Sequence, residues 1–101
     1  MNRQDGMRSE TDNLGALELP GDCLWGIHTQ RALQNFDLSG RRVPYALIAA
    51  IATVKQAAAR TNHELGYLPD NQAKAIEAAC AKIIAGGPEC RDWFPLDALQ
   101  G

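Results

Sequence analysis

Residues 28–31 read His-Thr-Gln-Arg and place an imidazole, a hydroxyl, an amide and a guanidinium in consecutive positions. The guanidinium of Arg31 has the planar fork that binds a carboxylate through two hydrogen bonds, and His28 can add a donor. This composition is compatible with a carboxylate-binding segment. From the residue types alone we favour the structural alternative, with His28 near a helix start and Arg31 on a solvated face. No catalytic partner for His28 is evident elsewhere in the sequence.

Other catalytic and cofactor motifs are absent from the sequence. There is no phosphate-binding glycine loop, no Gly-x-Ser-x-Gly and no His-Glu-x-x-His. Cys23, Cys80 and Cys90 form no Cys-x-x-Cys pair, so we expect incidental or structural thiols, with Cys80 a small buried residue on a helix. His63 lies near a helix end, where a cation complements the helix dipole. We expect no metal and no organic cofactor.

Charge and hydropathy exclude two classes of partner. The net charge is −2, and without a basic excess we expect no nucleic-acid binding. The longest apolar run, residues 45–52, is far shorter than the ~18–20 residues of a membrane-spanning helix, so we expect no membrane partner. The N-terminus is polar and lacks the apolar stretch of a secretory signal. The sequence therefore predicts a cytoplasmic protein.

The N-terminal third is predicted to contain a small extended element and a short helix. Residues 1–7 are expected to be a disordered tail. Residues 8–22 suit a small β-hairpin or an extended arm, because breakers interrupt short apolar stretches. A short helix is predicted over 29–36, with Thr29 as its N-cap, followed by a loop over 37–44.

Two longer helices are predicted to follow. The first covers 44–65, and Gly66 stops it. Its apolar stripe recurs at alternating spacings of four and three residues and consists of Leu47, Ile51, Val54, Ala58, Thr61 and Leu65, and Ile48 and Ala59 widen it. The second helix starts after Pro69 with Asp70 or Asn71 as cap and ends at residues 86–88, before a loop over 89–101. The fold class is thus mainly α. Because two helices and a hairpin bury little apolar surface, we expect further packing partners.

The sequence from residue 8 onward resembles the aspartase/fumarase superfamily. The sequence closely follows three successive parts of the family pattern. They are Arg-x-Glu-x-Asp-x-x-Gly, then Pro-Ala-Asp, then an aromatic-Gly-x-x-Thr-x-Arg-Ala-x-x-Asn-Phe block. The exception is Gly21, which replaces the usual Ala. The matches are Arg8, Glu10, Asp12, Gly15, Pro20, Asp22, Trp25, Gly26, Thr29, Arg31, Ala32, Asn35 and Phe36. Residues 54–68 resemble the family's Val-Lys-x-Ala-Ala-Ala helix, residues 75–86 its next helix, and 94–101 the Phe-Pro-[Leu/Val]-Asp-x-x-Gln-Gly that precedes its first signature.

The resemblance implies an incomplete piece of the fumarase/aspartase fold, with residues 8–101 as an N-terminal lyase domain. His28-Thr29 and the closing 97–101 are most like aspartate ammonia-lyases, which convert L-aspartate to fumarate and ammonia by anti elimination. The 24–36 block also resembles class II fumarases. The resemblance further implies a small dicarboxylate substrate and a homotetramer for the full-length protein.

No catalytic residue of the family maps onto this sequence, because the signatures that carry them follow the last residue. We therefore expect this chain to be inactive alone. The residues expected near the substrate are His28, Thr29, Arg31, Gln100 and Gly101. A non-catalytic interaction module, which keeps only a packing role, is the remaining alternative.

Overall fold

The computed structural model describes residues 6–99, apart from the side chains of 88 and 89. Residues 1–5 of the predicted tail, and Gln100 and Gly101 of the predicted site, lie outside the described residues. Met7, the last residue of the predicted tail, is the first residue of a β-strand. The chain divides into two compact units, one made of residues 6–42 and 92–99 and the other of residues 43–91.

The first unit begins with the predicted β-hairpin. Strand β1, Met7–Asp12, pairs antiparallel with strand β2, Gly15–Pro20. At the turn, Gly15 has a φ of +119°, and the carboxylate of Asp12 accepts a hydrogen bond of 2.9 Å from the backbone N–H of Leu14. Glycine adopts such a φ without strain, which is why the chain reverses here.

Helix α1, Ile27–Asn35, begins two residues earlier than predicted. Its N-cap is Gly26, so the prediction of Thr29 as the cap was wrong. Gly26 has no side chain that could accept a hydrogen bond from the free backbone N–H groups at the helix start. Instead, the carboxylate of Glu10 on β1 accepts a hydrogen bond of 2.9 Å from the backbone N–H of Ile27. An acceptor distant in sequence thus replaces the local cap, which the pattern of residues around 29 could not indicate.

The second unit is a helical hairpin. Helix α2, Tyr45–Glu64, starts after Pro44 and is followed by Gly66 with a φ of +81°, which confirms the predicted stop. Helix α3, Asp70–Ala85, ends at Gly86 with a φ of +63°. The predicted cap by Asp70 or Asn71 was wrong, because the N-cap is Pro69 and makes no side-chain cap bond.

The two long helices pack through small side chains. The buried residues of α2 are Ala52 and Ala59, and those of α3 are Ala73 and Cys80. Small side chains let helix backbones approach closely, and the buried position of Cys80 confirms its prediction. An ion pair of 2.8 Å between Arg60 and Glu77 lies at the edge of this contact.

The predicted apolar stripe of α2 is mostly exposed, and of its members only Ala59 is buried with Ala52 on the side of α3. Its large members are exposed: Leu47 by 52%, Ile51 by 49%, Val54 by 69% and Leu65 by 62%. The exposure of these side chains agrees with the expectation of further packing partners. The contact between α2 and α3 is formed by Ala52 and Ala59 instead.

The segment after α3 is more regular than predicted. A 3₁₀ helix, Pro88–Trp93, occupies part of the region predicted to be a loop, and Cys90 within it is buried. Within the described residues, no helix combines the length and the apolarity that spanning a membrane requires. The overall element order agrees with the predicted fold class: a hairpin, one short helix and two longer ones.

Candidate functional site

A hydrogen-bond network centred on Arg8 fixes the segment that leads into α1. Its Nε donates to Glu10 at 2.9 Å, and its Nη2 donates to the carbonyl of Trp25 at 2.5 Å. Its Nη1 donates to three more backbone carbonyls, those of Pro20, Gly21 and Cys23. A single guanidinium thus ties β1 to the chain between β2 and α1.

Glu10 connects this network to the start of α1. The Arg8 guanidinium and the backbone N–H of Ile27 lower the pKa of the Glu10 carboxyl from its ordinary value, while partial burial opposes this shift. The carboxylate lies at the helix N-terminus, where negative charge is favourable. The position of His28, the next residue of α1, therefore depends on a carboxylate in β1.

A second connection joins Asp12 at the end of β1 to Arg31 on α1. Arg31 donates from Nε and Nη2 to the two oxygens of Asp12, at 2.9 and 3.0 Å, and from Nη2 to the carbonyl of Gly15 at 3.1 Å. The Asp12 side chain is only 11% exposed. The Arg31 guanidinium lowers the pKa of the Asp12 carboxyl despite this desolvation. Such a bidentate pair fixes both distance and orientation.

An open cleft of about 400 Å³ lies beside this pair. Its walls come from the hairpin turn and from α1, namely Thr11, Asp12, Asn13, Leu14, His28 and Arg31. His28 is exposed, and its electrostatic interaction with Asp12 adds, after that of Arg31, to lowering the pKa of the Asp12 carboxyl. The hydroxyl of Thr11, the amide of Asn13, the imidazole of His28 and the edge of Arg31 are side-chain groups here that can donate a hydrogen bond to an anion.

The structure brings together only some of the predicted site residues. His28 and Arg31 line the same cleft, whereas Thr29 is half-buried on α1 and does not line it. The main partner of Arg31 is Asp12, which compensates its charge, so Arg31 acts first as a positioning residue. In the part of the chain that the structure describes, no group of three or more His, Cys, Asp or Glu side chains could hold a metal ion.

Asp97 forms another polar centre in the first unit. Its Oδ2 accepts hydrogen bonds from the backbone N–H groups of Leu38, Ser39 and Gly40, at 3.2, 2.8 and 3.1 Å. Its Oδ1 accepts from the Ser39 hydroxyl at 2.7 Å and the Leu99 N–H at 2.8 Å. The Leu99 N–H and the Ser39 hydroxyl, together with the other donors, hold the pKa of this buried carboxyl far below its usual range.

Neither the ion pairs of β1 nor the hydrogen bonds of Asp97 were predicted from the sequence, and the two cases differ. Arg8, Glu10 and Asp12 alternate along one strand, so a period-2 pattern could have placed them on one face. Asp97 gives no such signal, because its loop partners lie 57 to 59 residues earlier in the chain.

Comparison with known proteins identifies the class to which this hairpin-and-helix arrangement belongs. A family model described as Lyase matches residues 15–101. The chain therefore belongs to the lyase family of the aspartase/fumarase superfamily, which confirms the resemblance noted in the sequence.

Individual relatives include two kinds of enzyme. The chain is 48% identical over 93 residues to fumarate hydratase class II 1 of Pseudomonas aeruginosa, covering 92% of this chain and 20% of that protein. It is 47% identical over 98 residues to the aspartate ammonia-lyase of the same organism, covering 93% of this chain and 20% of the relative. Further similar proteins are class II fumarate hydratases, among them that of Nitrosomonas europaea.

A solved structure shows the same fold. The fumarate lyase:delta crystallin of Brucella melitensis, described as bound to cobalt, superposes with a TM-score of 0.84 at 42% identity. The match covers 94% of this chain and 21% of that one. The chain thus spans about a fifth of the length of the relatives it matches.

Proposed function

We propose that this chain is the N-terminal part of an aspartate ammonia-lyase, which converts L-aspartate to fumarate and ammonia. The observation that carries the proposal is the His28-Thr29 pair, a feature in which the sequence resembles ammonia-lyases. The exposure of His28 at the cleft supports this choice, since the imidazole is free to face a ligand. The closing residues 97–101 resemble ammonia-lyases as well.

The second candidate is a class II fumarase, which interconverts malate and fumarate. Most of the similar proteins are class II fumarate hydratases, and the identity to one of them, 48%, equals that to the ammonia-lyase within one per cent. Overall identity therefore does not separate the two reactions.

In the proposed reaction, a base removes the proton beside one carboxylate of aspartate, and ammonia leaves from the opposite side. Charge develops on that carboxylate, and hydrogen-bond donors fixed in position stabilise it. The base is not among the described residues. We propose that His28, Thr29, Arg31, Gln100 and Gly101 lie near the substrate in the full-length enzyme, with His28 as a donor to a carboxylate and Arg31 as the residue that positions α1.

The assembled enzyme is proposed to be a homotetramer, in keeping with the family resemblance. The residues that the structure describes supply no complete catalytic set, so we expect the isolated chain to be inactive. A cytoplasmic location stays a prediction from the sequence, as does the lack of nucleic-acid and membrane partners.

Two chimeric enzymes test the choice of reaction. Residues 8–101 would replace the matched segment in the fumarate hydratase and in the ammonia-lyase of Pseudomonas aeruginosa, whose identities to this chain are nearly equal. The ultraviolet absorbance of fumarate reports turnover of malate in the first chimera and of aspartate in the second. We expect the ammonia-lyase chimera to retain the larger share of its parent's kcat/KM.

The outcomes separate the candidates. A larger retained share in the fumarase chimera would favour the fumarase, and two inactive but folded chimeras would contradict a lyase role for this segment. In the ammonia-lyase chimera, His28→Gln should raise KM for aspartate, while His63→Gln serves as a matched control. Sustained turnover of either substrate by the isolated chain would contradict its proposed inactivity.

A further inference from the structure

The carboxylate of Asp97 binds two segments that are far apart in the sequence. Its Oδ2 accepts hydrogen bonds from three consecutive backbone N–H groups, those of residues 38–40. Its Oδ1 accepts a hydrogen bond of 2.8 Å from the backbone N–H of Leu99, two residues further along the chain. Because the loop holds one oxygen in place, the other oxygen gives the turn from Asp97 to Leu99 a fixed acceptor.

Two backbone contacts fix the same turn. The N–H of Ala98 donates to the carbonyl of Arg41 at 2.7 Å, and Arg42 forms an antiparallel β-bridge with Asp97. The backbone N–H groups of both Ala98 and Leu99 are therefore bound. The direction of the chain at Leu99 is thus determined by the loop at 38–41 and by the Asp97 carboxylate.

Apolar packing contributes little to holding this turn. The Leu99 side chain is 64% exposed, and Ala98 is exposed as well. A segment with few buried apolar contacts is ordinarily among the less stable parts of a fold. Hydrogen bonds to a buried carboxylate give this one a defined geometry instead. Such geometry matters in catalysis, because a displacement of about 1 Å can lower a rate about a hundredfold.

We propose that Asp97 is a positioning residue of the lyase, which acts through the turn at 97–99 on the residues that follow. This inference rests on the proposed function, under which Gln100 and Gly101 lie near the substrate. Asp97 itself does not contact the substrate, because its two oxygens already accept five hydrogen bonds from the chain. The role does not depend on whether the substrate is aspartate or malate.

The test compares Asp97→Asn with Asp92→Asn in the ammonia-lyase chimera. Asparagine keeps the size of the side chain, but its NH₂ group cannot accept a hydrogen bond, so either the loop or Leu99 loses its acceptor. Asp92 lies in the same segment, and its ion pair of 3.0 Å with Arg42 is exposed. We expect Asp97→Asn to lower kcat/KM for aspartate at least about tenfold. Asp92→Asn should change it less than about twofold.

Ser39→Ala separates positioning from stability. It removes the hydroxyl that donates to Oδ1 of Asp97 at 2.7 Å, but it leaves the Leu99 N–H and the three loop N–H groups in place. We expect it to lower the melting temperature, as Asp97→Asn does, and yet to keep kcat/KM within about twofold. All rates are measured well below the melting temperature of each variant. Losses of kcat/KM that simply follow the melting temperatures would overturn the proposal.

Amide exchange in the isolated chain of 101 residues covers the case in which the chimera is inactive. Exchange at Leu99, measured relative to the amides of β1 and β2, should be faster in Asp97→Asn than in Asp92→Asn. Unchanged exchange at Leu99 would overturn the proposal, as would equal kcat/KM values for these two variants. Chimeras that fold but are inactive even without a substitution would contradict the proposed function, while the exchange at Leu99 would still test Asp97.

Discussion

The carboxylate of Glu10 on β1 accepts a hydrogen bond of 2.9 Å from the backbone N–H of Ile27, the first residue of α1. A strand thus supplies the acceptor that helix starts usually obtain from their own N-cap side chain. The helix that carries His28 and Arg31 is positioned by this bond at one end and by the Asp12–Arg31 pair in its middle.

Glu10→Gln should lower the melting temperature of the chain by several degrees, because the charge at the helix N-terminus and the ion pair with Arg8 are both lost. Glu18→Gln, at an exposed position of β2, is the matched control and should leave the melting temperature nearly unchanged. Circular dichroism melts check both variants. Amide exchange at Ile27 should become faster in Glu10→Gln only, and unchanged exchange would contradict the role assigned to Glu10.

Arg31→Lys should also destabilise the first unit, although it keeps the positive charge. Lysine cannot reproduce the two parallel hydrogen bonds that Arg31 makes to Asp12, so the orientation of α1 on the hairpin is lost. The measurement is a urea titration followed by the fluorescence of Trp25 and Trp93. Arg41→Lys at an exposed loop position is the control, and equal midpoints for the two variants would show that the bidentate geometry is unimportant.

The stability of the chain should depend on acid pH through Asp97. Because the pKa of Asp97 is lower in the folded than in the unfolded state, its ionised form contributes stability above the unfolded pKa of about 4. This contribution is lost progressively as the pH falls through that region toward the folded pKa. Glu10 and Asp12 shift in the same direction and add to the effect.

Asp97→Asn isolates that contribution. The free energy of unfolding of the natural chain should fall steeply between about pH 5 and pH 3, whereas the variant should show a shallower slope over this range and lower stability at neutral pH. Urea titrations at a series of pH values measure both slopes. Identical slopes would mean that Asp97 does not carry the acid sensitivity.

Ala52→Leu and Ala58→Leu distinguish the two faces of α2. Ala52 is buried against α3, so the larger side chain should cost about 1–3 kcal/mol of the free energy of unfolding. Ala58 is exposed on the stripe, and the same change there should stay within about 0.5 kcal/mol. Chemical denaturation of the two variants provides the comparison, and a larger loss at Ala58 would reverse the assignment of the faces.

The sequence predicted well those features that depend on neighbours in the chain. The hairpin, the bounds of α2 and the glycine stop at Gly66 follow from local periodicity and turn chemistry. The cap of α1 was predicted at Thr29 and lies at Gly26, because the decisive acceptor, Glu10, comes from another element. Periodicity predicted an apolar stripe on α2, but of its members only Ala59 is buried, because the period does not distinguish a face packed within the chain from one left exposed.

The candidate site shows the same contrast between features that depend on neighbours in the chain and features that depend on the fold. His28 and Arg31 were identified by their residue types, and the structure places both at one cleft. Arg31 pairs with Asp12 because the hairpin folds over α1. The spacing of the two residues in the sequence does not predict the distance between their side chains. The overall identities to a fumarate hydratase and to an ammonia-lyase are nearly equal, so sequence similarity alone does not separate the two substrates.

The division of the first unit into residues 6–42 and 92–99 has a consequence for synthesis on the ribosome. The loop at Ser39 emerges early, but Asp97, which binds it, is translated only after both long helices are complete. The helical hairpin, built from contacts near in sequence, can form first. The loop can bind the Asp97 carboxylate only after that residue has been translated. The first unit is therefore the first to be synthesised and the last to complete its hydrogen bonds.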